Sequence, residues 1–122
     1  MPILFYGDPH GEFGPLLEAA REHRPEHVVL LGDLELERPF REEMAPLIAA
    51  GIRCWWILGN HDADTGERFD FLVGDHPEGD IGGRVVEMAC RDGTLAVAGL
   101  GGVYKGKIWY PRDGAEPRFH GR

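Results

Sequence analysis

The sequence has no apolar run approaching the roughly 18 residues of a membrane-spanning helix. Its start, MPILFYGD, lacks the basic segment and long apolar stretch of a secretory leader. The cytoplasm is the expected compartment, with no membrane partner. Cysteine is scarce: Cys54 and Cys90 stand without a CxxC pair, which argues against a zinc knuckle or thioredoxin-like redox motif and predicts buried free thiols. Positive charge is also scarce. Thirteen Lys and Arg against 21 Asp and Glu give a net charge of −8, and such a surface repels a phosphate backbone, so nucleic acid is expected only as a substrate. Lys105 and Lys107 sit in a C-terminal stretch and form no basic patch. The glycines around Leu100 lack the Lys-Ser/Thr ending of a P-loop. No internal repeat or low-complexity block is visible.

What is present is an ordinary globular composition, with 43% hydrophobic and 28% charged residues in 122, enough for one domain of modest core. Ile3 to Tyr6, His27 to Leu31 and Ile52 to Leu58 are short apolar runs that read as strands. Between them, Phe13 to His23 carries apolar residues at helical spacing, with Pro15 near its start and Pro25 at its exit. Pro39 to Ala50 does the same, although Pro46 must kink or shorten that helix, and Gly51 suits its C-cap. Glu67 to Val73 offers a third short helix. This alternation predicts an α/β fold with a βαβαβ parallel sheet core and helices on the faces. Val85 to Ala89 and Thr94 to Leu100, around Arg91-Asp92-Gly93, predict a C-terminal β-hairpin. Residues 1–100 are expected to form the domain and 101–122, rich in Gly and Pro, a loop or tail.

Chemistry concentrates in three polar clusters, Asp8-Pro9-His10, Gly32-Asp33 and Gly59-Asn60-His61-Asp62, each directly behind an apolar run. Ligands of open α/β sheets gather outside the carboxyl ends of strands, so the three clusters are expected to converge. If extended backbone persists through Pro9, Asp8 and His10 point to one side and share one ion. Asp33 adds a carboxylate suited to bridging two cations, and Asn60 adds an amide oxygen. Oxygen and imidazole donors without thiolate fit two divalent ions, Mn²⁺, Fe, Zn²⁺ or Mg²⁺, or one alone. Two such ions on the order of 3.5–4 Å apart generate a hydroxide nucleophile and stabilise a leaving oxygen at phosphorus.

The pattern Asp8-x-His10, Gly32-Asp33, Gly59-Asn60-His61-Asp62 resembles the calcineurin-like metallophosphoesterases over roughly the first half of their fold, one half of a sandwich. The resemblance implies that Asp8 and His10 bind one metal, that Asp33 bridges both and that Asn60 binds the other. It makes His61 and Asp62 the catalytic candidates: His61 contacts the phosphate or protonates the leaving group, and Asp62 orients the motif. It implies hydrolysis of a phosphomonoester or phosphodiester substrate.

Two departures stand out. The family places an acidic residue three positions after the bridging aspartate, where this chain has Leu36; a one-residue insertion puts Glu37-Arg38 there, with Glu37 polarising His61. The family also completes its site with a later histidine and a GHxH segment, and neither occurs in these residues. The chain then reads as a fragment, a shortened relative, or one completed by a second chain or an oligomer; the rival class is a non-catalytic metal-binding or interaction module. Of the other histidines, His23 and His27 flank a helix exit and are expected to be solvated, His76 is expected in a surface turn, and His120 has no strand before it. Glu35, Glu37, Glu42 and Glu43, mixed with Arg38 and Arg41, read as an exposed salt-laced helix face. Trp55 and Trp56 read as packing residues.

Overall fold

The computed structural model describes residues 2–59, 61–62, 64–101, 108–109 and 118–119. Three four-residue strands, β1 (Ile3–Tyr6), β2 (His27–Leu30) and β3 (Arg53–Trp56), form a parallel sheet in the order β1-β2-β3. Tyr6, Leu30 and Trp56 lie in one register across it, so the loops that follow leave from a common edge. The central strand is buried at all four positions, which is why its sequence is continuously apolar after His27 rather than alternating.

Alternation across the sheet divides the core in two. Val28, Leu30, Cys54 and Trp56 face the helical side and pack with Leu16, Phe40, Met44 and Leu47. Ile3 and Val29 face the other side with Ile81 and Met88, and Trp55 and Ile57 pack against them. The helical side is built by α1 (Gly14–His23), α2 (Phe40–Glu43) and α3 (Ala45–Ala49). The expected Pro39–Ala50 helix is thus two short ones parted at Met44. Pro46 has no N–H to donate, so it sits in the first turn of α3, where none is needed. Gly51 follows with φ 82°, the left-handed value expected after a helix end.

The expected third helix begins as α4 (Gly66–Phe69), capped by the Thr65 hydroxyl, which accepts from the Arg68 N–H at 3.1 Å. It then widens into a π-helical turn, Asp70–Gly74, and a 3₁₀ turn, Pro77–Gly79, follows. The hairpin forms as β4 (Val85–Cys90) and β5 (Gly93–Ala98), with Cys90 opposite Gly93 across the Arg91-Asp92 turn. Within the stretch expected to be a loop or tail, β6 (Ile108–Trp109) pairs antiparallel with β7 (Arg118–Phe119); His120 lies outside the described residues.

Two histidines depart from expectation. His27 is not solvated: it opens β2, is 2% exposed, and its Nε2 lies 2.8 Å from the Ala89 carbonyl of the hairpin. Its Nδ1 accepts from Trp55 Nε1 at 3.0 Å, so both ring nitrogens are satisfied in burial. His76 does not lie in a surface turn either. Its ring stacks on Phe40 with centroids 4.8 Å apart, and its Nε2 meets the Cys54 carbonyl at 3.0 Å. It belongs to the helical face of the sheet.

Candidate metal centre

Each loop at the carboxyl edge of the sheet brings its polar residue to the next loop through the backbone. The first loop is tied to the second by His10 N–H to the Asp33 carbonyl at 2.9 Å and Gly11 N–H to the Leu34 carbonyl at 2.8 Å. The Tyr6 hydroxyl donates to the Glu12 carbonyl at 2.9 Å, closing the first loop on its own strand. The second and third loops touch through glycine. A Cβ on Gly32 would lie 2.9 Å from the Cα of Gly59, and one on Gly59 would overlap the amide nitrogen and carboxylate of Asp33. The glycines before Asp33 and Asn60 are therefore steric requirements of the approach.

A buried carboxylate locks that approach. Asp62, 2% exposed, accepts from Gly59 N–H at 2.7 Å and Asp33 N–H at 2.9 Å on one oxygen. Its other oxygen accepts from Leu34 N–H at 2.7 Å and Glu35 N–H at 3.3 Å. Asp33 reciprocates, its Oδ1 accepting from His61 N–H at 2.9 Å. Asp62 thus acts on backbone, holding two loops together, and is a positioning residue in this geometry.

The result is a compact donor set in which Asp8, His10 and Asp33 each offer one ligand atom, all within 4.8 Å of one another. The geometry differs from the extended segment expected through Pro9. β1 stops at Tyr6, and Asp8 and His10 both take left-handed backbone, φ 46°. Asp33 and Glu35 repeat that conformation at φ 52°. Asp and His tolerate this region better than most residues, yet each such position costs on the order of 1–3 kcal/mol and persists only where surrounding contacts enforce it. The cross-loop hydrogen bonds supply the enforcement. Asn60 lies outside the described residues, but its neighbours Gly59 and His61 border the cluster, the His61 ring standing 5.8 Å from that of His10 at 64°.

Two carboxylates join the site that the sequence pattern did not single out. Glu35, expected on an exposed helix face, instead lies 2.6 Å from His10 Nδ1, and its other oxygen is 3.4 Å from Arg68. A metal-ligating histidine commonly gives its second nitrogen to a carboxylate, which sets ring orientation and tautomer; Glu35 meets that requirement. The available signal was the repeated spacing Asp8-x-His10 and Asp33-x-Glu35 behind successive strands. The partner of His61 is Asp64, at 2.8 Å from Nδ1, in place of the expected Glu37. That hydrogen bond, with the charges of Asp64, Asp33 and Glu35, raises the pKa of the exposed imidazole from its ordinary value.

The donor set fits a divalent cation by its chemistry, being two carboxylates and an imidazole whose far nitrogen is engaged. Neither His76, in the helical core, nor the exposed His23 joins it.

An uncharacterized protein of Haemophilus influenzae is 38% identical over 110 residues, which are 89% of this chain and 46% of that protein. The chain therefore spans about half the length of the curated relative it matches. No solved structure matches it. The family model for calcineurin-like phosphoesterases matches residues 1–117, nearly the whole chain including all three loops, and the chain belongs to that family.

Proposed function

We propose that the three loops form the first part of a dinuclear-type centre that hydrolyses a phosphomonoester or phosphodiester. Membership of the family implies metal-dependent phosphoester hydrolysis in general. The observation that carries the finer reading is the placement of the donor atoms of Asp8, His10 and Asp33 within 4.8 Å, with the His61 ring beside them. Asp8, His10 and Asp33 would hold the metal, and Asn60, next to His61 in the third loop, would serve a second ion. A bound divalent ion supplies Lewis-acid polarisation of phosphoryl oxygen and an acidified water.

The chain's own residues do the rest. Glu35 accepts the His10 Nδ1 proton and thereby presents Nε2. Asp62 keeps Asp33 and the third loop in contact through their amides. Asp64 holds the His61 ring through Nδ1, and a protonated ring so held can donate to a phosphoryl or leaving oxygen. The rival reading, a module that binds metal without turnover, draws on the small donor set among the described residues. Completion by a second chain is a third reading.

One experiment separates them. The full chain is assayed with bis-p-nitrophenyl phosphate and p-nitrophenyl phosphate in Mn²⁺ or EDTA beside Asp33→Asn, with Mn²⁺ binding followed by calorimetry and mass by light scattering. Metal-dependent turnover lost in Asp33→Asn supports the proposal, and turnover by a monomer excludes completion by a partner. Stoichiometric Mn²⁺ binding without turnover favours the binding module. Turnover that survives both EDTA and Asp33→Asn refutes the assignment.

A further inference from the structure

A concavity lies away from the metal loops, at the opposite, amino-terminal end of the sheet. It is a basin of about 660 Å³ between the exit of α1, the turn after α3, the starts of β2 and β3, and the hairpin end. Arg21, Arg24, Arg53 and Arg91 all line it, against one carboxylate, Glu26. Glu26 is engaged: both its oxygens accept the Arg91 N–H, at 3.1 and 3.0 Å, and Arg91 Nε lies 3.7 Å away. The side chains of Arg21, Arg24 and Arg53 have no hydrogen bond or ion pair among the described residues. A protein of net charge −8 thus concentrates three uncompensated guanidiniums around one hollow.

The bland account is that these arginines answer the carbonyl ends of α1 and α3. Magnitudes weigh against it. A helix end carries roughly half an elementary charge, and α3 has only five residues. The Arg24 amide donates to the Ala20 carbonyl at 2.8 Å and the Ile52 amide to Leu47 at 3.0 Å, whereas none of the three guanidiniums hydrogen-bonds a helix-end carbonyl among the described residues. Arg24 itself adopts φ 47° at a helix exit where glycine is usual, while α3 does use glycine, Gly51, at the same place. A non-glycine residue held in left-handed backbone points to a role for its side chain.

We propose that this basin is a binding site, separate from the metal centre, for a small organic phosphate bearing two or more negative charges, with a nucleoside diphosphate as the model of its class. Guanidinium forks match phosphate oxygens two at a time, and the volume lies within the usual range for small-ligand sites. The buried Pro25 and the half-buried Ile52 provide an apolar wall for the organic part. An extended nucleic acid is disfavoured because its length would meet the acidic surface. A small ligand meets only the local field, since charges beyond about 8 Å are screened at physiological salt.

The test is calorimetric titration of the full chain with ADP and with pyrophosphate in EDTA, so that metal-dependent binding at the loops is suppressed. Asp33→Asn, Arg21→Gln/Arg53→Gln and Arg24→Asn are titrated alongside, asparagine being a residue that accepts left-handed backbone. Circular dichroism confirms that each variant is folded. The proposal expects one saturable ADP site in wild type, unchanged in Asp33→Asn, weakened at least tenfold in the double arginine variant and several-fold in Arg24→Asn, with pyrophosphate weaker than ADP. No saturation at millimolar ADP, or binding lost in Asp33→Asn but kept in the arginine variants, overturns the site. Pyrophosphate binding as tight as ADP overturns the organic-phosphate class.

Discussion

Replacing Asp62 by asparagine should destabilise the fold far more than its surface chemistry suggests. The wild-type carboxylate accepts four backbone N–H groups, three of them at 2.7–2.9 Å and the fourth, from Glu35, at 3.3 Å. An amide of the same shape keeps one oxygen and turns an NH₂ donor toward the other pair of N–H groups, so two hydrogen bonds are lost and two donors are opposed. A buried donor left without a partner costs about 1–3 kcal/mol, more where the lost partner was charged. Leu34 is fully buried, so water cannot restore its bond, whereas the Asp33 and Gly59 amides lie nearer the surface and recover part of theirs. The expected loss is about 2–4 kcal/mol, a large share of the roughly 5–15 kcal/mol that holds a typical domain. Urea unfolding in EDTA, followed by tryptophan fluorescence, measures it without any contribution from bound metal. Asp64→Asn is the control, because an exposed pair such as His61 with Asp64 contributes little to stability. If Asp62→Asn shifts stability by less than about 1 kcal/mol, or no more than Asp64→Asn does, the inter-loop clamp is not what holds the site.

Further outcomes follow from the same geometry. Glu35→Gln should weaken Mn²⁺ binding roughly 10–100-fold in calorimetry, the usual effect of removing a histidine's outer carboxylate, while leaving the fold intact; unchanged affinity would show that Glu35 does not support His10. Gly59→Ala should abolish metal binding and destabilise, since its Cβ would fall on Asp33, whereas Gly66→Ala, with open space around the new methyl, should be within about 0.5 kcal/mol of wild type. Burial pushes the Cys54 thiol up from 9.0 to about 12. Above pH 9 the unfolded chain therefore releases that proton while the folded chain keeps it, and stability should fall by about 1.4 kcal/mol per pH unit from this group. Urea midpoints between pH 8.5 and 10.5 should drop less steeply in Cys54→Ala; equal slopes would remove Cys54 as the cause. In the native protein at pH 8, iodoacetamide should leave Cys54 unmodified over hours, as peptide mass mapping would show.

Much of the architecture was legible because strands and helices of this chain announce themselves by local apolar spacing. Ile3 to Tyr6 and His27 to Leu30 emerge nearly as their residues suggest, and the hairpin turns at Arg91-Asp92. The Pro39–Ala50 segment was harder, since whether a proline kinks one helix or opens another depends on which carbonyls find partners. His27 was misjudged because burial there comes from Trp55, across the sheet, and from Ala89, 62 residues away; no local pattern carries that.

The same division runs through the site. By itself the sequence determined which residues stand at the strand ends, since three apolar runs, each followed directly by a polar cluster, at Asp8, Asp33 and the Gly59 to Asp62 segment, place those residues on one edge of a parallel sheet. It also determined the hard-donor character of the set, a property of side-chain type alone. Only the tertiary structure decided the left-handed turns at Asp8, His10, Asp33 and Glu35, the use of Glu35 on His10 and Asp64 on His61, and the conversion of Asp62 into a four-amide clamp. The Glu35 contact and most of the clamp rest on hydrogen bonds between loops 25 to 29 residues apart, whose geometry exists only after the strands have paired; the Asp64 contact is local, three residues from His61, and depends on a loop conformation that spacing alone does not specify.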